Sequence, residues 1–495
     1  MQLKNALKNI DIIKIEGKAC IAIKGVTSDS RAIKKDFAFA AIKGNKQDGR
    51  KFISDAIKNG ANCIVTDDTG NSAPSDITRI FVKDLRPAYA QLCSNFHNDP
   101  TKKLKVIGIT GTNGKTTTLY LLEAILKKAG YACGRIGTID YSLGTHTVSA
   151  PNTTPDAGLL QRMFADMLDK KLDYCVMEVS SHALHQERVR AIHFNGAIFT
   201  NLSKEHLDYH KTMDEYFICK KKLFEQLQDS KYGVTNIDDA YGKKLAKGIN
   251  AKMITYGFSK QASVRVLQKQ ISTEGSAFIL ATPKGKINIE TSLIGLYNIY
   301  NATAAISAAL QEGISPQTIK AAVKEFNAPA GRLQLIEPAS PAGKPSCGIY
   351  VYVDYAHTDD ALEKVLSCLS QLKRKKIITV FGCGGDRDTA KRPRMAKVAS
   401  EISDFVIITS DNPRSEDPMD IISQIKKGLP KGFKNYLAIE DRKAAIEKAI
   451  EIASEEDIVL LAGKGHETYQ ILKNRKIHHD DREIARLALN KKCLV

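Results

Sequence analysis

Residues 104–118, LKVIGITGTNGKTTT, constrain the fold more than any other stretch of this chain. An apolar strand runs without a break into a glycine-rich turn that carries Lys115 and Thr116. TTTLYLLEAILKKAG then predicts a helix with Leu119, Leu122, Ile125 and Leu126 on one apolar stripe and Gly130 as its stop. Strand, turn and helix together supply what a triphosphate needs. Backbone N–H groups and a helix N-terminus face the phosphates. Lys115 adds a mobile cation, and Thr116 can offer a hydroxyl to Mg²⁺. Gly111 and Gly114 let the backbone come close. The spacing is not the usual G-x-x-x-x-G-K-[ST], because the place five before Gly114 holds Ile109.

The same alternation continues along the chain. YCVMEVSS and GAIFTNLS each pass from apolar strand to polar loop, which predicts a mostly parallel sheet covered by helices. Further on, IITVFGCGGDRD, FVIITSDNPR and DIVLLAGKGHE do so again. Ligands of open α/β sheets gather beyond the carboxyl ends of the strands, so these loops are candidate substrate contacts. At 495 residues one core is exceeded. The polar break HNDPTKK and the stretch FNAPAGRLQ divide the chain into 1–100, 101–330 and 331–495. Before the first break, ACIAIKGVTSDSR and DFAFAAIKG read as short strands and KFISDAIKNGANCIVTDD as helix, turn and strand.

Several function classes are disfavoured. No apolar run reaches the roughly 18 residues of a membrane span, and the start MQLKNALKNIDIIKIEG lacks a secretory signal pattern. Ten scattered cysteines without a C-x-x-C pair argue against a zinc ribbon or a disulfide scaffold and fit a reducing cytoplasm. The net charge of +18 raises a nucleic-acid reading, but the lysines are dispersed and no tryptophan is present. A solvated lysine-rich surface is the simpler account, and no nucleic-acid partner is expected. Anionic small substrates would gain from the same field.

Taken together, the motifs resemble those of the Mur ligases and their folylpolyglutamate synthetase relatives, for which G-T-x-G-K-T-T is the family's own loop. TSDSR (27–31) and GNKQDGRKF (44–52) are similar to the uridine-nucleotide-binding segment of the MurE type. NTTPD (152–156), MEVSSHALHQERV (177–189), NLSKEHLDYH (201–210), YFICKKKLF (216–224), GLYNIYNATAA (295–305) and VDYAHTDDAL (353–362) are similar to later family motifs. So are GCGGDRDTAKRP (382–393), DNPR (411–414) and GKGHE (463–467). The resemblance implies a three-domain α/β architecture, with a P-loop ATPase-like central sheet and a Rossmann-like C-terminal domain. It also implies a monomeric ATP- and Mg²⁺-dependent ligase that extends a UDP-N-acetylmuramoyl dipeptide by a diamino acid in peptidoglycan synthesis.

Site residues follow from the same resemblance. Gly111, Thr112, Asn113, Gly114, Lys115, Thr116 and Thr117 would hold ATP, with Asn301, Arg332 and Asp354 as further nucleotide contacts. Thr116, Glu178 and His206 would ligate Mg²⁺. Lys220, Lys221 and Lys222 each pass for a solvated face by sequence; the resemblance selects Lys220 as a carbamylated lysine (N6-carboxylysine) and catalytic group beside Lys115 and His206. Ser28, Ser30, Asn45, Lys46 and Gln47 match uridine-end contacts, and Asn152, Thr153, Thr154, Ser180, Gln186 and Arg188 match sugar and peptide contacts. Arg387, Asp411, Asn412, Pro413, Arg414, Gly463 and Glu467 match the amino-acid site. A guanidinium is the natural partner of the distal carboxylate that separates meso-diaminopimelate from L-lysine, so Arg414 in DNPR favours diaminopimelate.

Glu205 stands where aspartate is more usual before the histidine, and Asp359 where proline is common. Rival expectations are the same ligation with L-lysine, a folylpolyglutamate synthetase, a dinucleotide-binding oxidoreductase and a nucleic-acid-binding ATPase. TSDSR and DNPR speak against the second. Arg387, in the place of the third glycine of G-x-G-x-x-G, speaks against the third.

Overall fold

The structure is a computed structural model that describes residues 1–44, 47–68, 76–337, 348–473 and 475–493. It divides into two compact units. One comprises Met1–Arg265, Ala281–Gly285 and Ala302–Ala322; the other comprises Val266–Leu280, Lys286–Asn301 and Val323–Val495.

The first unit holds two sheets. Near the N-terminus five strands run in the order Ile12–Glu16, Thr78–Val82, Ala61–Thr66, Phe37–Ala40 and Gly25–Thr27. All pair in parallel except the first two. Its core packs Ala38, Ala40, Cys63, Val65, Ile80 and Val82 against the helix Leu85–Phe96. The segment ACIAIKGVT, expected as a strand, yields only Gly25–Thr27 as a ladder, because Ala22 merely bridges Gln2.

The second sheet carries the quoted loop. Lys105–Thr110 lies between Tyr174–Glu178 and Phe194–Phe199, parallel to both. Beyond these, Cys133–Ile136, Tyr232–Asn236 and Lys252–Gly257 continue the parallel pairing. Such strands are covered on both faces, and their buried apolar runs reflect it. Parallel alignment puts the loops after Thr110, Glu178 and Phe199 at one edge of the sheet.

In the other unit six strands run in the order Gln334–Ile336, Tyr350–Asp354, Ile458–Ala462, Ile377–Phe381, Phe405–Ile408 and Tyr436–Ala438. Only the first pair is antiparallel. Alternate side chains serve opposite layers. Tyr352, Phe381, Ile408 and Leu460 enter one core, and Val353, Val380, Ile407 and Leu461 the other. The loops that follow Asp354, Phe381, Ile408 and Ala462 share the carboxyl edge. Among the described residues no helix is long and apolar enough to cross a membrane.

Candidate active site

The phosphate loop is held open by its neighbour across the sheet edge. Gly111 has φ +147°, and a β-carbon there would lie 1.9 Å from Thr200 Oγ1. Thr112 N–H donates to Asn201 O at 2.8 Å, Asn113 N–H to Asn201 Oδ1 at 3.1 Å, and Thr200 Oγ1 to Asn113 O at 2.6 Å. Thr200 and Asn201 thus template the loop, a role that sequence reasoning missed although NLSKEH had been singled out. Gly114, at φ +88°, is the N-cap of the helix Lys115–Lys128 and has no side chain to occupy its first N–H groups.

Two lysines converge on one carbonyl. Lys115 Nζ donates to Gly111 O at 3.0 Å and to Thr112 O at 2.7 Å, and Lys220 Nζ donates to Gly111 O at 2.9 Å. Lys220 is 1% exposed. It lies on the buried stripe of the helix Met213–Glu225 with Tyr216, Leu223 and Phe224. Its ammonium stands 4.5 Å from the centre of the Tyr216 ring, one turn away. Burial, reinforced by the charge on Lys115, holds its pKa well below the ordinary lysine value. Lys221 and Lys222 point elsewhere and pair with Glu225 and Glu187.

Thr116 Oγ1 donates to Glu178 Oε1 at 2.9 Å. That carboxylate, fully buried, also accepts from Thr138 N–H and Thr138 Oγ1, both at 3.0 Å. A hydroxyl and a carboxylate side by side are hard oxygen donors of the kind Mg²⁺ takes alongside substrate phosphates. The residues present therefore fit such an ion. Among the described residues no group of three or more His, Cys, Asp or Glu could hold a metal unaided. His206 caps the short helix Leu207–His210 with φ +56°, its ring 5.0 Å from that of His182.

A cleft of about 410 Å³ opens in the same unit. Ser28, Asn152, Gln186 and Arg188, four of the candidate substrate contacts, line it together with Arg86, Tyr89, Asp156 and Glu187, which were not among the candidates. Tyr89 and Ser28 lie on the same wall of the cleft. Thr153 and Thr154 sit deeper in the framework. Thr153 Oγ1 meets Thr138 Oγ1 at 3.1 Å, and Thr154 Oγ1 donates to Glu178 O at 2.9 Å. Ser180 caps the helix Ser181–His185. Ser30 begins a short 3-10 turn away from the cleft lining, and Gln47 is exposed. Asn45 and Lys46 lie outside the described residues.

In the other unit the loops GCGGDRD and DNPR are laid backbone to backbone. A β-carbon on Gly385 would be 1.9 Å from Pro413 O, and one on Gly382 would be 2.3 Å from Thr409 O. Gly385 N–H donates to Asn412 O at 2.9 Å, and Arg414 Nη1 returns to Gly385 O at 2.7 Å. Arg392, wholly buried, forks onto both oxygens of Glu416 and thereby ties the two loops from below. Asp411 packs against Gly463, with Oδ2 2.9 Å from where a β-carbon would stand. Arg387 is exposed.

Glu467, expected at the amino-acid site, accepts at Oε2 from Lys464 Nζ at 3.0 Å and from Asn412 Nδ2 at 2.8 Å. Lys464 is wholly buried and also donates to Asn412 Oδ1. It sits inside GKGHE and was passed over, because a lysine between glycines reads as solvated. Nearby, Asp354 accepts from Leu333 N–H at 2.6 Å and Ala356 N–H at 2.8 Å. Burial raises its pKa to about 6, against the opposing pull of Arg332. Arg332 lies over the Tyr355 ring, and Asn301 Nδ2 donates to Asn298 Oδ1.

Fold and site together define an α/β protein built around a phosphate-binding loop. Three family models match in succession: "Mur ligase family, catalytic domain" at residues 22–97, "Mur ligase middle domain" at 109–309, and "Mur ligase, glutamate ligase domain" at 331–465. The chain belongs to the Mur ligase family. It is similar to the UDP-N-acetylmuramoyl-L-alanyl-D-glutamate–2,6-diaminopimelate ligase of Clostridium tetani, at 43% identity over 98% of each chain. The enzyme of that name from Clostridium botulinum is 45% identical over 93% of this chain and 94% of its own. A solved structure of such a ligase matches 99% of each chain at 31% identity, with a TM-score of 0.72.

Proposed function

We propose that this protein joins meso-2,6-diaminopimelate to UDP-N-acetylmuramoyl-L-alanyl-D-glutamate in peptidoglycan synthesis, with ATP as phosphoryl donor. The observation that carries the reading is the convergence of Lys115 and Lys220 on Gly111 O beside the Thr116–Glu178 pair.

A carboxylate has no adequate leaving group, so amide formation needs activation. One carboxylate oxygen of the dipeptide attacks the γ-phosphorus and ADP leaves, giving an acyl phosphate. The amine of diaminopimelate then attacks the acyl carbon, loses a proton, and phosphate departs with the original carboxylate oxygen. Phosphoryl transfer asks the protein for positioning and charge neutralisation. Lys115, now folded onto its own loop carbonyls, is within reach of phosphates seated at the helix N-terminus. Asn113, Gly114 and Thr117 line the same turn, and Asn301, Arg332 and Asp354 are the proposed contacts for the rest of the nucleotide. Mg²⁺ held by Thr116, Glu178, His206 and a carbamylated Lys220 would neutralise phosphate charge. The depressed pKa of Lys220 favours its neutral amine, the form that condenses with CO₂. Protein equilibrated with ¹³C-bicarbonate should show a carbamate resonance that disappears in Lys220→Ala.

Arg414 is the proposed partner of the distal carboxylate, with Asp411 and Gly463 beside it and Arg387 reaching in from its exposed loop. Glu467, held by Lys464 and Asn412, completes that site, where the acidic groups are available to the distal ammonium. ATP and a uridine nucleotide are cytoplasmic substrates, and the reading places the protein in that compartment as a monomer. Phosphate release with the purified dipeptide nucleotide tests the whole reading. Release should depend on diaminopimelate and be weak with L-lysine. No release with either amino acid would remove the assignment, and a preference for lysine would overturn the role of Arg414.

A further inference from the structure

Building on the uridine-nucleotide reading above, we propose that Arg86 and Arg188 form a two-guanidinium clamp for the diphosphate of that nucleotide. Both side chains line the cleft that also holds Ser28 and Gln186. Their existing partners are all neutral. Arg86 Nη2 donates to Lys43 O at 2.8 Å. Arg188 donates to Gln186 Oε1 through Nε at 3.0 Å and Nη2 at 2.7 Å, and to Thr154 O at 2.8 Å. Those bonds hold the two guanidinium groups at the cleft without a direct ion pair to either.

The carboxylates on the cleft wall have partners of their own. Asp156 Oδ1 accepts from Gly158 N–H and Leu159 N–H at the start of the helix Ala157–Asp169, where the helix end already favours its charge. Glu187 is paired with Lys222 at 2.7 Å. Burial lowers the pKa of Arg188, Asp156 opposes this, and Arg86 lowers it further, so the two guanidinium groups repel each other across the cleft. Two half-buried like charges held facing one space are relieved by an anion placed between them. A diphosphate offers one acceptor face to each planar fork.

Arg86 stands on the first turn of Leu85–Phe96, three residues before Tyr89, which lines the cleft with Ser28. One helix therefore supplies a support for the uridine end and a cation for the phosphates, with the spacing of the two fixed by the helix.

Binding of UDP and of uridine to the full chain, measured by calorimetry, tests the clamp, with ATP binding as a check on the fold of the same unit. Wild type should bind UDP at least about tenfold more tightly than uridine. Arg86→Gln should lose roughly ten- to a hundredfold for UDP while its uridine and ATP affinities hold. Arg86→Lys, which keeps the charge without the fork, should fall between them and covers the case in which the glutamine variant is misfolded. If wild type binds UDP and both variants bind it equally well, the clamp is wrong and the substrate reading stands. An equal loss of UDP and uridine would mean that Arg86 acts only through the Lys43 loop, which also overturns the clamp. If wild type binds neither ligand, the substrate reading falls and the clamp with it.

Discussion

A β-carbon on Gly111 would overlap the Thr200 hydroxyl at 1.9 Å, at a φ that side-chain-bearing residues rarely adopt. Gly111→Ala should therefore push the loop off its Asn201 template, at about 1–3 kcal/mol or more. We expect ATP binding by calorimetry to be lost while the cleft still binds UDP; unchanged ATP affinity would refute the templating. Arg414 is a different kind of position. Its guanidinium is steered by Gly385 O rather than packed in a core, so Arg414→Lys should leave the fold intact. A lysine is a point charge without the fork. The KM for diaminopimelate should rise roughly ten- to a hundredfold with the KM for ATP unchanged, in steady-state phosphate release.

Strands and helices carry their own consequences, and the buried Arg442–Asp481 pair shows one. Arg442 begins the helix Arg442–Ile452, Asp481 begins Asp481–Cys493, both are at most 1% exposed, and Arg442 also donates to Ala462 O at the end of the interior strand Ile458–Ala462. Removing one partner leaves a buried charge unmatched, so Arg442→Met should destabilise by about 3–5 kcal/mol and lower the thermal midpoint. Arg442 and His479 hold the Asp481 carboxyl far below the usual range despite its burial. A depressed folded pKa means that the pair's stabilisation is complete above the unfolded value of about 3.9 and drains as pH falls below it. Acid unfolding of Asp481→Asn should accordingly be flatter below about pH 4 than that of wild type. These elements also mark what could be read in advance. The six apolar strand-to-loop passages were plain, because a buried parallel strand is a continuous run with a chemical loop after it. Tyr436–Ala438 and Gln334–Ile336 were not, since three-residue edge strands have no periodicity to detect. Arg86, Arg392 and Lys464 escaped notice for a shared reason: a charged residue looks solvated until its partners, distant in sequence, are known.

Over the whole molecule the surplus of +18 needs a use or a cost. No nucleic-acid motif claims it, and the two proposed nucleotide substrates are polyanions. Raising ionic strength from about 0.05 to 0.3 M shortens the screening length, so the KM for the uridine substrate should climb severalfold while the turnover number holds. A flat salt profile would show the charge to be idle. The loops at the amino-acid site bear on how such an enzyme can diverge. Gly385 rests on Pro413 O and Gly382 on Thr409 O, so the two backbones are butted together with no slack for either to drift. A lineage changing its diet of amino acids must then swap the side chains standing on that rigid ledge, one codon at a time. The ledge itself should pass unaltered between enzymes of differing taste.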